Sequence, residues 1–156
     1  MGFRAPARAG FTLVEVVVAI ALAGIGVAAT IGALTRVNAF ASSARNLTGA
    51  TTAVENQIDL LLSDSPFNPQ KTNPDGSIQV PPELILGTHV TNNVPIYKEP
   101  TTGVIVGGTM TTTVTDISTT YNGNTIPMYL ATVTVTYTDL GRNYTVTMDA
   151  VRTSDI

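Results

Sequence analysis

Residues 11–34, FTLVEVVVAIALAGIGVAATIGAL, form an apolar run of about 24 residues in which Glu15 is the sole charged side chain. At roughly 1.5 Å per residue a helix of that length crosses a hydrocarbon core of about 30 Å. A carboxylate at the centre of a bilayer costs about 2.5 to 3.5 kcal/mol even on lenient insertion scales, so Glu15 demands a partner. Arg4 and Arg8 precede the run, and cytoplasmic flanks are the ones enriched in such residues. The expected orientation is therefore N-terminus in, although Arg36 on the far side weakens the asymmetry. An ordinary signal peptide cut near Ala29, after GVAAT, is the competing reading. The apolar run is too long for it, and helix-compatible sequence continues past the cut.

Beyond Arg36 the spacing changes. Val37, Phe40, Ala44, Leu47, Thr51, Val54, Ile58 and Leu61 fall at alternating intervals of three and four, a heptad seam. No proline interrupts it until Ser63, Asp64, Ser65 and Pro66. The pattern predicts one helix from about residue 11 to residue 62, roughly 75 to 80 Å long. The seam is read as a face packed under the chain's own sheet rather than as an intermolecular coiled coil, because Ala44 and Thr51 make poor zipper knobs.

Residues 64–100 carry most of the prolines and read as an extended loop with short strands at most. Asp64, Asn68, Asn73 and Asp75 could gather round a calcium ion, but EF-hand spacing is missing and turns are the simpler reading. The last third is rich in Thr, Val and Tyr. In YLATVTVTY, Tyr129, Ala131, Val133, Val135 and Tyr137 share one face, and Thr132, Thr134 and Thr136 share the other. After DLGR, Tyr144, Val146, Met148 and Ala150 repeat the pattern, which makes a hairpin pairing Tyr137 with Tyr144, Val135 with Val146 and Val133 with Met148. GVIVGGTMTTTVTDI offers one or two more strands. The expected fold is α+β: an antiparallel sheet of three to five strands on the outer half of the long helix.

Candidate chemistry is sparse. The chain has no cysteine, which removes disulfides and thiolate metal sites. The lone His89 has no cluster around it, and the acids are scattered, with no catalytic signature, metal site or cofactor motif. Without residues 1–10, 6 of the 8 cations stand against 11 carboxylates, a net charge of −5, which carries no footprint for nucleic acid. The two Asn-x-Thr triplets, NLT and NYT, are expected by chance in a Thr-rich chain. Gly24, Ala28 and Gly32 recur every four residues as a ridge of small side chains. It is either a helix-packing surface or the ordinary glycine content of membrane helices, and it is also where the helix should melt most easily.

At AG/FTLVEVVVAI the sequence resembles the leader of type IV pilins, type II secretion pseudopilins and competence pilins. The resemblance rests on a short basic leader, a glycine before the cut, an aromatic residue after it, and a glutamate four residues further on. It implies a leader at 1–10, a membrane and assembly half at 11–35, and the amphipathic half plus sheet head at 36–156. It further implies that prepilin peptidase cuts between Gly10 and Phe11 and methylates the Phe11 amine. The implied partners are other pilin or pseudopilin subunits, an inner-membrane assembly platform and membrane lipid. The family's fold, a long helix with an antiparallel sheet on its outer half, agrees with the reading from periodicity. In that family the matching glutamate meets the first-residue amine of a neighbouring subunit, which would give Glu15 its partner. Two departures stand out: no disulfide can close a C-terminal loop, and Gly32 stands where many major pilins have proline. The reading is a minor pilin or pseudopilin, with a periplasmic binding module on an uncleaved anchor as the alternative.

Overall fold

The computed structural model describes residues 10–64, 66–100 and 103–155. Arg4 and Arg8 of the expected basic leader lie outside the described residues. Helix α1 runs Leu13–Ser63 without a break, within one residue of the expected C-terminal end. The chain divides into two compact units, residues 1–42 and 43–156. In the first, the large apolar helical side chains are exposed, on a helix long and apolar enough to cross a membrane.

The second unit has its own core. Strands β1 (Asn68–Thr72) and β2 (Ile78–Gln79) form a small ribbon, and a 3-10 turn follows at Pro82–Leu84. Then come β3 (Gly87–Lys98), β4 (Ile105–Asp116), β5 (Thr119–Tyr121), β6 (Asn124–Ile126), β7 (Met128–Asp139) and β8 (Arg142–Thr153). The main sheet is antiparallel with order β3-β4-β7-β8. Tyr137 pairs with Tyr144, Val135 with Val146 and Val133 with Met148, as the sequence predicts, and the two tyrosine rings stack at 5.5 Å. A one-residue slip would turn the apolar set outward, so this register is strongly specified. Tyr129, Ala131, Val133, Val135 and Tyr137 of β7 join Met110 and Val114 of β4 and Val54 and Leu61 of α1 in the core.

Two expectations need correction. The first half of the heptad seam does not pack under the sheet: Val37, Phe40 and Ala44 are exposed, and Leu47 is 49 % exposed. The buried stripe instead follows Asn46, Ala50, Val54 and Leu61. Its early positions are small because β3 comes against the helix backbone itself. A Cβ added at Gly49 would stand 2.0 Å from the Ile96 carbonyl oxygen. The apolar periodicity thus followed large side chains, whereas the close approach selects small ones.

Residues 64–100 are also more ordered in pattern than a proline count suggests, since β3 is a 12-residue strand. It tolerates Pro95 because it is an edge strand, and its register shifts on either side of that residue. The β5–β6 hairpin turns on Asn122 and Gly123, both at positive φ. An Asn-Gly pair between strand-like residues is the strongest short hairpin signal, and it stands in TYNGNT.

The helix C-terminus has no basic residue of its own in the last turn. Arg152, 8 % exposed at the end of β8, donates to the carbonyls of Leu61 (2.9 Å) and Asp64 (2.6 Å) and pairs with Asp155 (2.8 Å). Its guanidinium also lies over the Phe67 ring. A cation at the carbonyl end of a helix satisfies orphan acceptors and suits the dipole. Asp155 accepts from the Phe67 amide at 2.9 Å, and that bond, with Arg152, holds its carboxyl below the ordinary 3.8.

Gly49→Ala should therefore destabilise the head by about 1 to 3 kcal/mol through overpacking, although alanine is the better helix former by about 1 kcal/mol. Thermal unfolding monitored by circular dichroism measures the net sign, and an unchanged or raised midpoint would contradict the packing argument. Because the folded-state pKa of Asp155 is depressed, its contribution is present above its unfolded value and lost as pH falls through and below 3.8. Asp155→Asn should be less stable than the parent at pH 7, with the gap closing toward pH 2. A gap independent of pH would show that the carboxylate contributes nothing through its charge.

Candidate assembly site at the start of the helix

Thr12 stands immediately before the helix and Glu15 at its third position. The Glu15 amide lies 3.3 Å from Thr12 Oγ1, and the Thr12 amide lies 3.5 Å from Glu15 Oε2. This reciprocal pair is a capping box, which satisfies two of the amides that every helix start leaves without intrahelical partners. The carboxylate also sits where the helix dipole favours negative charge. Its sequence signature, threonine and then glutamate three residues on in TLVE, was readable but was missed beside the apolar run.

Gly10, Phe11 and Glu15 are thus brought to one helix end, with Phe11 83 % exposed and one residue before the amide that the carboxylate reaches. Cleavage before Phe11 would convert its amide nitrogen into an amine one residue before the Thr12 amide. Further along, Gly24, Ala28 and Gly32 lie on an unbroken helix, and a Cβ at Gly24 or Gly32 would meet nothing within 4 Å. A shallow groove there is lined by Ala29, Gly32, Ala33 and Arg36. The Thr30 hydroxyl donates to the Gly26 carbonyl at 2.8 Å, and that of Thr35 to Ile31 and Gly32, each at 3.0 Å. These threonines need no water.

The other candidates are occupied locally. Asp75 accepts from the Ser77 hydroxyl and amide, which hold its carboxyl below 3.8, and Asn73 donates to Ser77. Asn68 accepts from the Gln70 amide, and the Asp64 carbonyl serves Arg152. No group of three or more metal-ligating side chains occurs among the described residues. His89 is exposed and bonds to the Ile85 carbonyl. Asn46, in the NLT triplet, is 3 % exposed and donates to Asp139 at 3.1 Å, so it is a packing residue rather than an accessible acceptor.

The family profile of the prokaryotic N-terminal methylation motif matches residues 6–31. Neither a curated protein nor a solved structure matches the chain. The match spans the Gly10–Phe11 bond, the capping box and most of the apolar run, and it joins a fold of one long helix and a small antiparallel sheet. The chain thus carries a prepilin-type N-terminal methylation motif on an apolar helix long enough to span a membrane.

Replacing Thr12 by valine removes the hydroxyl cap and should cost the helix start about 1 kcal/mol. Hydrogen exchange in detergent micelles should then speed up several-fold at the Leu13 to Val16 amides and stay unchanged beyond Val18. Uniform acceleration along the helix would count against a local cap.

Proposed function

We propose that the protein is a structural, non-catalytic subunit, a minor pilin or pseudopilin, of a type IV pilus-like or type II secretion filament. It enters the inner membrane with its N-terminus in the cytoplasm and its sheet head in the periplasm. Prepilin peptidase cleaves between Gly10 and Phe11 and methylates the Phe11 amine, and an inner-membrane platform then adds the subunit to the filament. The observation that carries this reading is the methylation motif at residues 6–31 on a capped, unbroken apolar helix. The small head without cysteine supports a minor subunit or pseudopilin.

Within the filament Glu15 pairs with the Phe11 amine of a neighbouring copy or a related subunit. Two opposite charges in a low-dielectric interior offset part of each other's desolvation, and removing one strands the other. Before cleavage Phe11 has no amine, so processing acts as the assembly switch. The ridge of Gly24, Ala28 and Gly32 lets neighbouring helices approach closely in place of bulkier contacts.

The mature chain should begin at Phe11 and carry one added methyl group, as read by intact mass and N-terminal sequencing. Glu15→Gln removes a costly charge from an apolar segment, so insertion should survive, while the buried amine loses its counter-charge at a cost of about 3 to 5 kcal/mol. Processing, membrane content and incorporation into sheared filaments are compared with wild type. Normal processing with wild-type incorporation would defeat the pairing, and a mature protein that retains Met1 would defeat the filament reading.

A further inference from the structure

The two long hairpins of the head close on the same side. Lys98 pairs with Ile105 across β3 and β4, and Asp139 with Arg142 across β7 and β8, and the sheet register puts both closures beyond the row of Gly108, Tyr137 and Tyr144. The head begins on that side. Ser43, its first residue, donates to Asp139 at 2.5 Å, Asn46 does so at 3.1 Å, and the Arg45 guanidinium lies 5.3 Å from the centre of the Tyr97 ring.

Turns that face water are ordinarily built from glycine, proline and short polar residues. These two tips instead present Val104, Ile105 and Leu140, which are 59, 53 and 70 % exposed. Leu140 has a φ of 48° at the first position of a two-residue turn, where Asn, Asp or Gly is favoured. A leucine held there is strained, and its own folded chain gives it little to pack on.

Charge is divided between the two ends of the sheet. Near the apolar tips stand Arg45, Lys98 and Arg142, against the carboxylates of Glu99 and Asp139. Asp116 pairs with Tyr129 at the opposite end, where Asp64 and Asp155 meet Arg152 and the segment carrying Lys71, Asp75 and Glu83 lines a cavity with Tyr129. Five carboxylates stand there with two cations.

We propose that before assembly these two tips rest on anionic phospholipid, with Val104, Ile105 and Leu140 in the headgroup layer and Lys98 and Arg142 at the phosphates. The occupant is lipid because the chain itself brings it: nine residues separate Ser43 from Leu34, the end of the apolar run, about 14 Å at the helical rise. Each cation near an anionic surface favours the docked state by about fivefold, and the acidic far end is repelled, so the division of charge decides which end goes down. The proposal rests on reading the chain as inserted in the membrane. It adds to that reading a resting position for the head, from which entry into a filament would have to lift it.

The absence of native cysteine makes the test clean. Full-length protein with one fluorophore, attached through Leu140→Cys, Val104→Cys or Tyr121→Cys, is placed at one copy per nanodisc with a spin-labelled quencher on the lipid headgroups. Tyr121, 69 % exposed in the β5–β6 hairpin that follows Asp116, reports on the acidic end. In discs containing phosphatidylglycerol, the Leu140→Cys and Val104→Cys labels should be quenched several-fold more than the Tyr121→Cys label. Adding Lys98→Gln and Arg142→Gln should lower the ratio of docked to free heads about 25-fold, roughly fivefold for each cation. Discs of pure phosphatidylcholine should act on the parent as that double substitution does. Equal quenching at the three positions overturns the proposal and leaves the filament reading standing. So does quenching that ignores the double substitution or the lipid charge, and so does quenching that appears only when two copies share a disc, which would make the tips a contact between subunits. A chain that fails to insert overturns both.

Discussion

The constraint on which this structure depends is that residues 11–34 can satisfy their backbone without water only as a helix. In lipid each amide and carbonyl needs an internal partner, and a single apolar segment can supply those partners only to itself. The observed helix carries that solution without a break from Leu13 to Ser63. What it cannot do is satisfy its own ends. At the start, Thr12 and Glu15 do so within the first turn. At the finish, the donor is Arg152, 91 residues beyond the Leu61 carbonyl that it meets. The helix end is therefore complete only when the final strand is in place, which couples the local element to the whole head.

That coupling explains why the head needs neither disulfide nor large core. Among the described residues Arg152 meets the carbonyls of Leu61 and Asp64, the Asp155 carboxylate and the Phe67 ring, and Asp155 ties the following residues to Phe67 in both directions. At the other end of β7, Asp139 takes hydrogen bonds from Ser43 and Asn46. The sheet is thus fastened to residues 43–63 of the helix by polar clasps at both ends of β7. Between them Gly49 admits the Ile96 carbonyl, and Val54 and Leu61 fill the core. Close backbone approach and two clasps fix the register of helix against sheet more sharply than apolar burial alone, which is non-directional.

Strict period-two alternation made β7 and β8 legible to the residue, because the wet threonines and dry valines leave one register that buries the apolar face. The helix was legible from its unbroken periodicity. Its buried stripe was not, since a scan for large apolar residues passes over Asn46, Gly49 and Ala50. The length of β3 was hidden because proline weighs against a strand, and only the position at a sheet edge cancels that weight. The clasps were illegible for a different reason: Arg152 and Asp139 look like ordinary charges near strand ends, and their partners are set by tertiary placement. At the candidate assembly site the feature that sequence reading passed over was the hydroxyl of Thr12.

The capping box changes the energetic problem that Glu15 poses. A carboxylate alone in an apolar segment faces its full desolvation cost, whereas here a backbone amide and the positive end of the helix dipole offset part of it in the free chain. Dipole stabilisation of about 0.3 to 2 kcal/mol is smaller than the roughly 3 to 5 kcal/mol at stake when a buried ion pair loses one partner. An amine can therefore win the carboxylate from the Thr12 amide, and in an uncleaved chain the amide keeps it. The same glutamate would then serve two states in turn, as a helix cap before assembly and as a counter-ion within it. The two roles compete for one carboxylate, so the cap must open for the neighbour's amine to be paired.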